Sequence, residues 1–166
     1  FEGWAYGSYE QSALVDFTQT IRNDSAVYAK WKKDKPQGDY IKDGRYVTLV
    51  KKGSGSCSTF DWQPRESGDT LFEKTYQAKG RYEHRNGKTY YSIYDDKGNW
   101  KGYIDAADTK VAAGKQGVYL SDGRYVTVVK KGYNTWSNFS WNQKLSNNQI
   151  LNKTYQAKGR YVHANG

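Results

Sequence analysis

The sequence predicts an all-β protein: two small closed barrels in tandem, the second truncated, behind a short N-terminal β segment of another kind. Three observations carry that prediction. An internal repeat recurs at an offset of 79 residues. Short β-branched and aromatic runs are punctuated by glycine turns, and a helical period appears nowhere. The chain has 166 residues, room for one ordinary domain or two small ones.

The repeat sets the organisation. DGRYVT begins at Asp43 and again at Asp122, and KTYQAKGRY at Lys74 and again at Lys153. Gly38–Gly87 overlays Gly117–Gly166 without a gap, and 28 of the 50 positions are identical. The expected segments are 1–33, a linker at 34–37, a first module at 38–110 and a second at 117–166. The second module has no counterpart of Lys88–Asp105. It is therefore expected to keep an open edge, frayed or completed by a neighbouring segment.

The elements follow in order. Val27–Trp31 alternates as a strand, with Val27, Ala29 and Trp31 on one face. KKDKPQGD (Lys32–Asp39), broken by Pro36 and Gly38, reads as linker. RYVTLVKKG and RYVTVVKKG are β-branched strands ending in a glycine turn. Asn86-Gly87 signals a type I′ hairpin turn and recurs at Asn165-Gly166. Thr89–Tyr94, the turn DDKGN and Trp100–Ile104 form a second hairpin, with Asp95 and Asp96 as turn formers. Ala106–Ala113 reads as one loose turn joining the modules. Roughly five to seven short strands in fewer than about 80 residues suit a small barrel.

Composition narrows the class. Tyr (16), Trp (6) and Phe (5) give an aromatic content of 16%, which argues for a folded chain whose core is dominated by rings. No apolar run approaches the roughly 20 residues of a membrane helix. One cysteine excludes an intrachain disulfide and a Cys-rich zinc site. The absence of methionine and of a signal peptide leads us to expect a piece of a longer polypeptide. The net charge of +9 is uneven: residues 111–166 hold eight bases and one acid, Asp122. Such a segment is either solvated by its lysines or seeks anions.

Two resemblances rest on these motifs. FDWQ…KTYQAKGRYEHRNGKTYYSIYDDKGNWKGYID, with Trp100, Gly102, Tyr103 and Ile104 as W-x-G-Y-I, resembles the GW-type module of Gram-positive surface proteins and autolysins. Asn99 separates Gly98 from Trp100, so the similarity is to a variant of that family. Phe1, Gly3, Trp4, Phe17, Tyr28, Ala29, Lys30 and Trp31 resemble the C-terminal half of an internalin-type B repeat, with Val27 where that family has Leu. The resemblances imply SH3-like barrels after a partial β-grasp-like repeat. They imply a secreted, non-catalytic module holding a larger surface protein or adhesin on the cell wall. The expected partner is teichoic or lipoteichoic acid, or peptidoglycan, with host glycosaminoglycan as another polyanion. The alternative is an accessory targeting module of a wall hydrolase or a polysaccharide-synthesising enzyme. Nucleic acid has only charge in its favour and no motif.

No catalytic constellation is expected. Cys57 and His84 would be the tempting dyad, but the counterpart of Cys57 is Trp136 while His84 recurs as His163. The two histidines lack metal-ligand spacing, so neither a metal nor a cofactor is expected; each should pack in its barrel or bond a turn carbonyl. Trp62 and Trp141 (F-x-W in both modules) are expected in the cores, because little else large is available to bury. The binding candidates are Lys79 and Arg81 with their repeats Lys158 and Arg160, read as a cationic ledge on one strand face, with Tyr82 on the other. Tyr90 and Tyr94 join them, because Tyr90, Tyr91 and Tyr94 cannot all face inward and exposed rings grip sugars.

Overall fold

The computed structural model describes residues 1–7, 12–19, 26–31 and 35–166. Part of the expected linker, 32–34, lies outside them. The chain divides into two compact units, Phe1–Lys35 and Pro36–Gly166. In the first, β1 (Gly3–Ala5) pairs antiparallel with β2 (Tyr28–Lys30). Phe1 sets its ring edge-on to Trp4 and Trp31, at 5.7 and 5.3 Å. Ala5 is buried, while Trp4, Phe17 and Trp31 stand exposed.

The second unit begins with β3 (Ile41–Lys42) and β4 (Tyr46–Leu49), then a one-turn helix α1 (Gly68–Leu71). It continues with β5 (Thr75–Glu83), β6 (Thr89–Tyr94), β7 (Trp100–Asp105), a 3-10 turn at Ala106–Asp108 and β8 (Thr109–Ala112). The antiparallel sheet runs β7-β6-β5-β4-β8, and β3 also pairs with β5. Both strands of the expected second hairpin therefore form. The stretch read as a connecting turn instead supplies β8, paired with β4 from Tyr46↔Ala112 to Leu49↔Thr109.

The core gathers Val47, Leu49, Leu71, Tyr76, Ala78, Tyr91, Ile93 and Ile104. Its fully buried members are mainly aliphatic. That corrects the expectation of a ring-dominated core, and among the described residues no tryptophan is buried. Both faces of β6 are covered. Tyr91 and Ile93 enter the core, while Ser92, on the other face, accepts a hydrogen bond from Trp100 Nε1 at 3.1 Å. The expected outward aromatic face of this strand is therefore reduced to the half-buried Tyr94.

One turn differs from its prediction. His84 N donates to Lys88 O at 2.9 Å, closing a three-residue loop in which Gly87 has φ 82° and Asn86 is not left-handed. This is the type I turn with a left-handed glycine rather than type I′, which needs positive φ at both central residues.

The second module contains β9 (Leu120–Ser121) with β14 (Gly159–Arg160), β10 (Tyr125–Thr127) with β13 (Thr154–Gln156), and β11 (Thr135–Trp136) with β12 (Gln143–Leu145), plus α2 (Asn147–Ile150). Where β5 is one nine-residue strand, its repeat is two short ones. The modules meet at Gly117, where a Cβ would lie 2.3 Å from Thr75 Oγ1. The next amide, Val118 N, donates to Thr48 Oγ1 at 3.1 Å.

Candidate functional site

The repeated basic run is built around a carboxylate. Asp43 Oδ1 accepts from Gly44 N, Arg45 N and Arg45 Nε at 2.8–3.0 Å, and Oδ2 accepts from Arg81 Nη1 at 3.1 Å. Asp122 repeats the knot with Gly123, Arg124 and Arg160. Burial pushes the Asp43 carboxyl up, but the bonds from Arg45, the turn amides and Arg81 outweigh it and hold it well below the usual carboxylate range. At Asp122 the Arg124 side chain leads the same downward shift. Arg81 also pairs with Glu83 at 3.1 Å, and Arg160 with Glu73. Both arginines of the expected ledge are thus engaged by carboxylates.

The rest of the run has a packing reason. The Tyr40 ring lies over Gly80, where a Cβ would come 2.0 Å from Cε2, and Tyr119 covers Gly159 in the same way. The two hydroxyls donate to Lys79 O and Lys158 O at 2.8 and 2.9 Å. A β-bulge falls between Ala78 and Gly80, leaving Lys79 out of the ladder with its side chain exposed.

The candidates separate accordingly. Lys79 Nζ lies 4.3 Å from the centre of the Tyr94 ring, so these two come together. Lys79 also lines a groove of about 270 Å³ with Tyr46, Gln77, Asp96, Lys97 and Lys115. Lys115 is paired with Asp96 at 2.9 Å. Asp95 folds into its turn, accepting from Lys97 N and Asn99 N at 3.0 and 2.8 Å. Lys79 and Lys97 are the cations at this groove without a carboxylate partner among the described residues. Lys158 is exposed on the second module. Tyr90 is buried, and its hydroxyl accepts from Asn86 Nδ2 at 3.1 Å.

The F-x-W tryptophans, expected in the cores, instead lie at the surface. Trp62 and Trp141 are 45% and 57% exposed, and both sit in the left-handed region at φ 63°. A bulky residue in that region is a genuine outlier, at a cost on the order of 1–3 kcal/mol. Trp62 rests against His84 at 5.6 Å and Tyr90 at 5.2 Å, outside Phe60, which stacks on Tyr103 at 4.5 Å. The indole is thus held at the surface as a platform able to take an apolar face such as that of a sugar ring. The signal lay in the flanking residues: Asp61 and Pro64, like Ser140 and Asn142, are turn formers rather than strand formers.

Burial pushes the Cys57 thiol up, opposite to the shift that activates a thiolate. Its backbone exchanges hydrogen bonds with Tyr103 at 2.8 and 2.9 Å. His84 packs against Phe60, Trp62 and Tyr90, and its Nδ1 accepts from Asn86 N at 3.1 Å. His163 Nδ1 lies 2.7 Å from Asn165 Oδ1 and 3.2 Å from Asn165 N, within its own turn. Among the described residues no group of three or more His, Cys, Asp or Glu could hold a metal. No helix among them is long and apolar enough to cross a membrane.

No protein-family model matches the sequence, and no curated protein sequence matches it. The structure is similar to a crystal structure from Listeria monocytogenes described as a candidate autolysin, over 86% of this chain at 14% identity, with a TM-score of 0.41. The chain spans 59% of the length of that structure. A likeness of this degree assigns neither family nor activity.

Proposed function

We propose that this chain is a non-catalytic module that binds an anionic cell-wall glycopolymer of the teichoic or lipoteichoic acid class and holds a larger protein at the cell surface. The observation that carries the reading is the exposed Lys79 ammonium against the Tyr94 ring at the rim of a groove that also presents Lys97. A phosphate-linked sugar polymer offers the two chemistries this arrangement takes, a phosphate for a lysine and an apolar sugar face for a ring. Eight bases against one acid in residues 111–166 extend the cationic surface onto the second module. The GW-type pattern of the first module supports the same reading. In this view the sheet β7-β6-β5-β4-β8 is an SH3-like barrel, its long loop brought across β7 by the Cys57–Tyr103 bridge. The residues that carry binding are Lys79, Tyr94, Lys97 and Lys158, with Trp62 and Trp141 as sugar platforms. Arg81, Arg160 and Tyr90 support them from within.

The test is retention on isolated Gram-positive walls, with and without their teichoic acid, across a salt series. Screening shortens from about 8 Å at 0.15 M toward about 3 Å at 1 M. Polymer binding therefore predicts release by about 0.5 M salt and no retention on stripped walls. Retention on stripped walls at all salt concentrations would replace the anionic polymer by a neutral glycan.

A further inference from the structure

Trp62 ends a loop that another residue would close with less strain. Ser58 N donates to Gln63 O at 2.8 Å and Trp62 N to Thr59 O at 3.2 Å, and Cys57 bridges Pro64, so the loop is the tip of a hairpin. Its last residue lies in the left-handed region, which glycine and asparagine enter readily and an indole does not. The repeat builds the same turn: Ser137 N donates to Asn142 O at 2.8 Å, Trp141 N to Asn138 O at 3.2 Å, and Trp141 has the same φ of 63°. Packing gives no reason for the choice, because Phe60 supplies the ring that stacks on Tyr103 while Trp62 stays exposed outside it. Strain of this kind gathers at ligand-binding positions.

A hydrogen-bond donor stands beside the indole. His84 accepts from Asn86 N through Nδ1, so its neutral ring carries the proton on Nε2. Among the described residues Nε2 has no hydrogen-bond partner, and no buried side-chain nitrogen or oxygen lacks one, so this proton opens to solvent. The imidazole is held in place by Phe60, stacked at 5.9 Å, and by the edge of Tyr90 at 5.7 Å. Ring face and donor are thus fixed before a ligand arrives, which lowers the entropy lost on binding. A flat apolar face next to an uncharged donor suits an uncharged sugar, whereas the Lys79 groove suits a phosphate.

We propose that Trp62 and His84 form a subsite for one neutral pyranose of gluco-type configuration. Its equatorial substituents leave a face of axial C–H groups to lie on the indole, and a hydroxyl or acetamido oxygen accepts from His84 Nε2. The proposal rests on the role of Trp62 as a sugar platform in the function proposed above, and names the ligand of that platform. Two wall components present such a ring: a sugar substituent on the anionic polymer, and the glycan strand of peptidoglycan. One stacked ring and one hydrogen bond bind weakly, so this subsite alone does not hold the chain on walls stripped of polymer.

The experiment titrates the full chain with the methyl β-glycoside of N-acetylglucosamine and follows the indole and imidazole resonances by NMR. Saturable shifts of the Trp62 indole N–H and the His84 ring are expected, and about 0.5 M salt should leave them unchanged, because no charge is paired. Trp62→Asn, suited to the left-handed position, should weaken binding about tenfold or more while the Tm stays at or above that of the parent. His84→Phe keeps a ring against Phe60 and should weaken binding severalfold. No saturable shift in the parent, undiminished binding by Trp62→Asn, or a Tm well below the parent in that variant overturns the proposal. An N-acetylglucosamine oligomer, and a glycerol-phosphate polymer with and without sugar substituents, then separate the sources by which of them gains Trp62-dependent affinity. The monosaccharide carries no phosphate. Salt-sensitive wall retention without monosaccharide binding therefore removes this subsite alone, and the converse removes only the function proposed above.

Discussion

Replacing Asp43 by alanine removes the centre of the turn that joins β3 to β4 and releases Arg81 from β5. The side chain of Asp43 is 5% exposed and accepts four hydrogen bonds. The two turn amides contribute about 1 kcal/mol each. The two arginines are 38% and 31% exposed and can return to water, so each pair contributes only about 0.5–1 kcal/mol. The expected loss is about 3 kcal/mol, or roughly 10 °C in Tm for a unit of this size. Asp43→Asn keeps an oxygen for the amides and should lose about 1 kcal/mol. Lys79→Ser, at an exposed side chain, should stay within about 0.5 kcal/mol of the parent. Urea and thermal unfolding followed by near-UV circular dichroism read all three. An Asp43→Ala variant as stable as the parent, or a Lys79→Ser variant equally damaged, would refute the division between supporting and binding residues.

Further outcomes follow from the same geometry. Asp43 and Asp122 have folded-state pKa values below their unfolded ones, so their stabilisation is complete above the ordinary carboxylate pKa of about 3.9 and is lost as pH falls. The Tm should be level from pH 7 to about 5 and fall below about 4, and an earlier decline would contradict this assignment. Leu71→Ala empties a fully buried position and should cost about 2–5 kcal/mol, whereas Val126→Ser, on the exposed face of the second module, should cost under about 1 kcal/mol. Gly80→Ala drives Tyr40 off its seat and should cost about 1–3 kcal/mol, a loss that Tyr40→Ala in the same chain should largely absorb.

The hairpin of β6 and β7 was legible because alternation and a turn motif are local properties. Trp62 was misplaced because periodicity carries no information about a left-handed turn, and volume alone suggested burial. The arginines were read as a ledge because their anchors, Asp43 and Asp122, lie 38 residues upstream in each module. Strand alternation also failed at Lys79, where the bulge shifts the register and turns this lysine toward Tyr94. Repetition marked Lys79, Gly80, Arg81 and Tyr82 together, and only the structure divides them into an exposed cation, a seat for Tyr40, a partner of Asp43 and a neighbour of Phe60.

The most direct test of the proposed binding surface is a titration of purified teichoic acid against the parent chain and two variants matched for stability. In the Lys79→Ser/Lys158→Ser variant, two phosphate contacts worth up to about 1 kcal/mol each are lost. Its affinity at about 0.15 M salt should fall roughly five- to twentyfold, and its salt dependence should become shallower. Tyr94→Ala should weaken binding severalfold while leaving the salt dependence as it was. Undiminished affinity in both variants would contradict the account.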